Sequence, residues 1–257
     1  MLPKAIASEE LFSNPANYNA VPVMLGTNRD EMKLFLSFSP DHVDTLMGLP
    51  IGIKNRKRYD TYSRYSSDQW KIKAVDRLAT VMRQGQGNNV FAYRFDADDL
   101  RDFGFLDLKE LMGAAHAFEV PYVFGNFITT MSRVVHPVEN HEARNALSHS
   151  MMSYWAAFAH HGKPGRGYFG KQIEWAAWQN TINENRIMIL DTSLDGGVHM
   201  SPEQMYMKDL KHRLLTDTSF IDHEEHCRAY KLLFIKEDFV QKEYDNLGGE
   251  GCFDVDS

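Results

Sequence analysis

The chain has 257 residues, 43% apolar and 25% charged, a balance that supports a sizeable buried core and excludes a disordered or collagen-like polypeptide. Lysine and arginine number 28 against 35 aspartates and glutamates, a net charge of −7, so the overall field draws neither nucleic acid nor an anionic membrane. No stretch approaches the roughly 18 apolar residues of a membrane span, and two cysteines, Cys227 and Cys252, are too few for a disulfide-built scaffold or a closed zinc site, though they leave one bridge between them open.

Met1-Leu2-Pro3-Lys4 lacks the basic and apolar regions of a secretory signal. The first element is Val21-Pro22-Val23-Met24-Leu25, a nearly all-apolar run closed by Gly26, which reads as a strand covered on both faces of a parallel sheet. A polar loop, Thr27 to Glu31, follows. Lys54, Arg56, Lys57, Arg58 and Arg64 interleave with Tyr59, Tyr62 and Tyr65. In another setting that composition grips single-stranded nucleic acid, but in an acidic chain it reads as a mobile loop near a cleft entrance. From Asp68 to Gln84, Trp70, Ala74, Val75, Leu78, Val81 and Met82 recur at spacings of three and four, predicting an amphipathic helix capped by Ser67 or Asp68 and stopped by Gly85. Asn88-Asn89 turns the chain into a second strand, Val90 to Phe95. Leu147 to His161 carries a broad apolar face and ends at Gly162 and Pro164, the signature of a buried helix. Arg186 to Leu190 reads as a third strand, and Glu224 to Tyr244 as a terminal helix or helix pair. The alternation predicts one α/β domain with long loops.

Two places could carry chemistry. Asp30 and Glu31 come just after the first strand, where the carboxyl ends of parallel strands line a ligand crevice; solvated acids in a turn are the plainer alternative. His116 lies among small residues in Gly113-Ala114-Ala115-His116-Ala117, and a neutral imidazole held by a carboxylate can take a proton from a hydroxyl nucleophile. The separation of 85 positions between Glu31 and His116 is a distance that only a fold can close.

Three segments, taken together and in order, resemble the type B carboxylesterases, the family of para-nitrobenzyl esterases and cholinesterases. They are Val21-Pro-Val-Met-Leu-Gly-Thr-Asn-Arg-Asp-Glu31, Gly113-x-x-His116-x-x-Glu119-x-Pro-Tyr-x-Phe-Gly125, and Ser148-x-x-Met-x-x-Tyr-Trp155-x-x-Phe-Ala159-x-x-Gly162-x-Pro164. The resemblance runs to about Leu190 and thins beyond it. It implies an α/β-hydrolase fold, a carboxylic-ester hydrolase of the Ser-His-Glu type, Glu31 as triad acid, His116 as triad base, a small-molecule ester as substrate, and no metal or organic cofactor. Two positions depart from the family pattern, which usually has glycine where this chain has Met32 and Ala117.

Such triads run Ser, acid, His, with the serine in a Gly-x-Ser-x-Gly elbow, and no such pentapeptide occurs in the 257 residues. In the family that elbow and the Gly-rich oxyanion segment precede the acid. The resemblance therefore implies the C-terminal portion of one such domain, an incomplete central sheet, and an N-terminal half as the partner that supplies the nucleophile; alone, the chain is expected to be inactive. Ser148, Ser150 and Ser153 lie on the predicted buried helix, where hydroxyls bond back to the helix or pack, and are set aside as nucleophiles. His223-Glu224-Glu225-His226-Cys227 has its histidines at i, i+3 rather than the i, i+4 of a zinc-protease helix and reads as a solvated helix start. The rival to an esterase is a non-catalytic, cholinesterase-like adhesion module, against which the retention of both Glu31 and His116 counts.

Overall fold

The computed structural model describes residues 9–220 and 222–234. Its frame is a four-stranded sheet in the order β1-β4-β5-β6, from β1 (Val23–Asn28), β4 (Val90–Phe95), β5 (Ile187–Leu190) and β6 (His199–Ser201). β1 and β4 run parallel with Val23 opposite Val90 and Asn28 opposite Phe95; β4 and β5 are parallel, and β6 returns antiparallel. A separate hairpin joins β2 (Val43–Leu46) to β3 (Leu49–Ile53). Helix α1 (Glu9–Ser13) precedes β1; between the strands lie α2 (Lys33–Leu36), α3 (Arg56–Lys71), α4 (Arg77–Gln86), α5 (Leu108–Leu111), α6 (Val120–Phe124), α7 (Thr130–Val135) and α8 (His141–His161), followed after β6 by α9 (Met207–Leu215) and α10 (His223–Phe234). Among the described residues no helix is long and apolar enough to cross a membrane.

Alternation along β4 builds the two-sided core. Phe91 and Phe95 point to one face, where they pack with Tyr122, Met151 and Tyr154 of α6 and α8 and with Trp175. Val90 and Ala92 point to the other, against Val75, Ala79 and Met82 of the α3–α4 rod and Trp178. Every residue of β5 is buried, as a short apolar run sandwiched between helices should be. A third cluster joins Tyr65 and Ile72 to Leu210, Leu214, Cys227 and Tyr230, fastening α9 and α10 onto α3.

Several elements differ from their sequence signals. The first strand runs from Val23 to Asn28 rather than 21–25, and it is half-buried along most of its length. It has β4 on one side and, among the described residues, no strand on the other, while its two faces are covered as expected, Met24 packing on the Phe91 side and Val23 and Leu25 on the Val90 side. Gly26 lies inside it, not at its end. A Cβ there would fall 2.0 Å from Cζ of Tyr93, so the glycine makes room for a ring.

The segment expected as a mobile loop is helical. Asn55 accepts a hydrogen bond from the backbone N–H of Arg58 and starts α3, which continues through 68–71. Tyr59 and Tyr65 are fully buried; Tyr59 Oη bonds the carbonyl of Leu111 at 2.6 Å and Tyr65 Oη the carboxylate of Asp217 at 2.6 Å. Polar tips with partners let the rings serve as core, and the basic residues between them pair on the surface, Arg56 with Glu110 and Arg64 with Asp217. The rod then widens into a π turn over Ile72–Asp76 before continuing as α4, and it stops at Gly87, with φ +60°, rather than at Gly85. α8 begins at His141, six residues before the predicted start, and β5 begins one residue late. Helix α10 starts at His223; the remainder of the predicted terminal helix, and Cys252, lie outside the described residues.

Candidate active site

β1 delivers its last residues, Thr27 and Asn28, and the turn after it, Arg29 to Met32, to the carboxyl end of the sheet, where Arg29 N–H bonds the carbonyl of Phe95 at the end of β4. Glu31 is buried there. Its Oε1 accepts from Asn28 N–H at 2.7 Å and from Thr27 Oγ1 at 3.2 Å. Its Oε2 is 2.7 Å from Nδ1 of His116. Three donors around one carboxylate fix its rotamer and offset its burial.

His116 reaches this acid from a loop that is stapled to the β1 turn. Asp30 N–H bonds the carbonyl of Ala114 at 3.0 Å, and Asp30 Oδ2 accepts from Ala114 N–H at 3.0 Å. Asn28 Nδ2 donates to the carbonyl of Ala115 at 2.5 Å and to Glu119 Oε2 at 2.6 Å. Two backbone positions let the loop fold this closely. Gly113 has φ +52°, and a Cβ there would come within 2.4 Å of Asp30 Oδ2; Ala117, where the family pattern has glycine, sits at φ +67°. Asp30 thus holds the loop, while Glu31 holds the imidazole.

A carboxylate only accepts, so Nδ1 carries the proton and Nε2 of the neutral ring keeps its lone pair. Among the described residues Nε2 has no hydrogen-bond partner, and the His116 side chain is 42% exposed against 6% for Glu31. An anchored, half-exposed imidazole backed by a buried acid can accept a proton from an outside hydroxyl and return it. Two further rings flank it: Phe35 of α2, with its centroid 5.6 Å away, and Trp70 of α3, at 5.9 Å. Neither stood out in the sequence. Trp70 belongs to the apolar stripe that the sequence predicts for the 68–84 helix, yet it is 38% exposed.

The other candidate groups are engaged elsewhere. Ser148 Oγ donates to the carbonyl of Tyr122, Ser150 Oγ to that of Ala146, and Ser153 Oγ accepts from Tyr168 N–H. In the 223–227 segment, His226 bonds the carbonyl of Leu214 and stacks on Phe220, Glu224 pairs with Arg228, and Glu225 pairs with Arg58.

Comparison with known proteins agrees with this architecture. A solved PNB esterase superposes on 80% of this chain and 40% of its own length, with TM-score 0.51 at 23% identity. EstA of Aspergillus niger covers 93% of this chain and 46% of its own, also with TM-score 0.51, at 17% identity. These likenesses show the α/β-hydrolase fold, represented here by a partial mixed sheet. In sequence the chain is 27% identical over 192 residues to the para-nitrobenzyl esterase of Bacillus subtilis (strain 168), which covers 68% of this chain and 35% of that protein. The chain therefore spans less than half the length of these relatives. A family model described as the carboxylesterase family matches residues 47–208. With more than half of its residues under that model, the chain belongs to the carboxylesterase family.

Proposed function

We propose that Glu31 and His116 are the acid and base of a serine esterase, and that residues 1–257 are the C-terminal portion of its single catalytic domain. A serine from the portion of the domain preceding Val21 would attack the ester carbonyl. Nε2 of His116 would take the serine proton and pass it to the departing alkoxide, with Glu31 holding Nδ1–H and stabilising the imidazolium. The base would then activate water to release the acid. The observation that carries this reading is the 2.7 Å contact of Glu31 and His116 on stapled loops 85 residues apart. Support for a partner segment comes from the edge position of β1, whose outer side has no strand among the described residues, an arrangement that invites pairing.

The test is p-nitrophenyl ester hydrolysis by chain 1–257 alone and by the same chain joined to a preceding segment that carries a Gly-x-Ser-x-Gly elbow, each with and without His116→Gln. The proposal expects His116-dependent turnover only in the joined protein. If neither form turns over ester and both remain folded, the reading fails and the adhesion-module alternative takes its place.

A further inference from the structure

We propose that Trp70 is a positioning residue for His116, shielding the Nδ1–Oε2 hydrogen bond from water and holding the ring in one rotamer. This rests on the assignment of Glu31 and His116 above and extends it to a residue on a distant helix. The His116 side chain is 42% exposed and its bond to Glu31 is only part-buried, and a hydrogen bond that water can reach competes with it. Two aromatic side chains stand against it: Phe35, tilted at 37°, and Trp70, crossing at 68°. Such pairs hold a ring by both area and quadrupole, and they favour its protonated form when that form arises.

The placement of Trp70 is built into the backbone. Two residues after it the rod leaves α-helical geometry for the π turn Ile72–Asp76, an irregularity that is rare and concentrates at functional sites. Residues five apart lie on different faces of an α-helix but on nearly one face of a π turn. Lys71 and Asp76 use this: Lys71 Nζ lies 2.9 and 2.7 Å from the two Asp76 oxygens, and both residues are buried. Asp76 also accepts from Met205 N–H at 2.8 Å, and Lys71 lies 3.4 Å from Glu203. The turn is thereby locked, Lys71 is committed inward, and its neighbour Trp70 is left half-exposed on the side that meets His116.

The test is NMR of the 257-residue chain labelled at histidine nitrogens, following the His116 Nδ1–H signal and its exchange with water. Wild type and Trp70→Phe are expected to show one protected signal, while Trp70→Ala loses it to exchange. Trp70→Leu, which keeps apolar bulk, guards against misfolding of the alanine variant and is expected to speed exchange by about two- to tenfold, the worth of one aromatic pair. Equal protection in wild type and in folded Trp70→Ala or Trp70→Leu would overturn the proposal, since a purely structural tryptophan would change melting and leave this signal alone. Absence of the signal in wild type would instead overturn the Glu31–His116 pairing itself.

Discussion

Tyr93 of β4 lies across Gly26 of β1, its registered partner, so that a Cβ on residue 26 would sit 2.0 Å from Cζ and 2.5 Å from Oη of the ring. The ring cannot swing away cheaply, because Trp155 packs against it at 5.1 Å and Trp175 at 6.2 Å. Gly26→Ala is therefore expected to destabilise the protein by about 1–3 kcal/mol through overpacking, read as a lower urea midpoint at unchanged slope.

Ala117 gives the opposite expectation. Its φ of +67° is left-handed backbone, which costs an L-residue roughly 1–2 kcal/mol. Ala117→Gly relieves that strain and loses part of the gain to the freer unfolded chain, leaving a net stabilisation of about 0.5–1 kcal/mol. Thermal unfolding of the two forms measures it. A value near zero would mean that the loop staples from Asp30 and Asn28 already absorb the strain.

The buried pair of Lys71 and Asp76 should behave as a unit. Lys71→Met strands a buried carboxylate and is expected to cost about 3–5 kcal/mol, whereas Lys71→Met with Asp76→Leu should cost markedly less than the two single changes together. A double-mutant cycle in urea checks this; strict additivity would contradict a direct pair.

Asp191, just past β5, provides a pH test. Burial, reinforced by Asp96 and Asp98 against the Thr192 N–H that opposes it, pushes its carboxyl up to about 7. The folded state then holds a proton that the unfolded chain has released, so this group lowers stability as pH rises from about 4 through 7. His136, pushed down to about 4 by burial and by Arg144, works in the opposite sense over an overlapping window, so the wild-type curve alone does not separate them. Asp191→Asn does: it should stabilise at pH 8 by about 1 kcal/mol, discounted for solvent screening, and by less at pH 5. Equal effects at both pH values would contradict a raised Asp191.

The parts of the fold that the sequence made legible are those where one physical requirement dominates. β4 and β5 must be apolar because helices cover both faces, and α8 must present a broad apolar face to Phe91 and Phe95; these read correctly to within a residue for the strands and for the end of the helix. α3 did not, because its core side is tyrosine. Tyr59, Tyr62 and Tyr65 recur every third residue, but the basic residues between them give the segment the look of a loop; hydroxyl partners at Leu111 and Asp217 explain the burial of Tyr59 and Tyr65, and Arg58 over the ring accompanies that of Tyr62. The hairpin β2–β3 passed unnoticed for want of alternation strong enough to stand out. At the site, His116 and Glu31 were marked by family motifs, whereas nothing in their spacing required them to meet. Thr27 and Asn28, which hold Glu31 and the His116 loop, sat in the quoted motif without a role. Trp70 reads in the sequence as one stripe with Ala74 to Met82, because the π turn over Ile72–Asp76 that separates them breaks the 3.6-residue period by which a helix face is read.

The central claim, that Glu31 acts on the reaction through His116, is tested most directly by a double-mutant cycle on kcat/KM for a p-nitrophenyl ester in the protein that carries the serine elbow. Glu31→Gln alone and His116→Ala alone are each expected to lower kcat/KM by about 10²–10⁴, and adding Glu31→Gln to His116→Ala should lower it no further, as for residues that work as a unit. Losses that multiply in the double variant, or a Glu31→Gln variant with full activity, would contradict it.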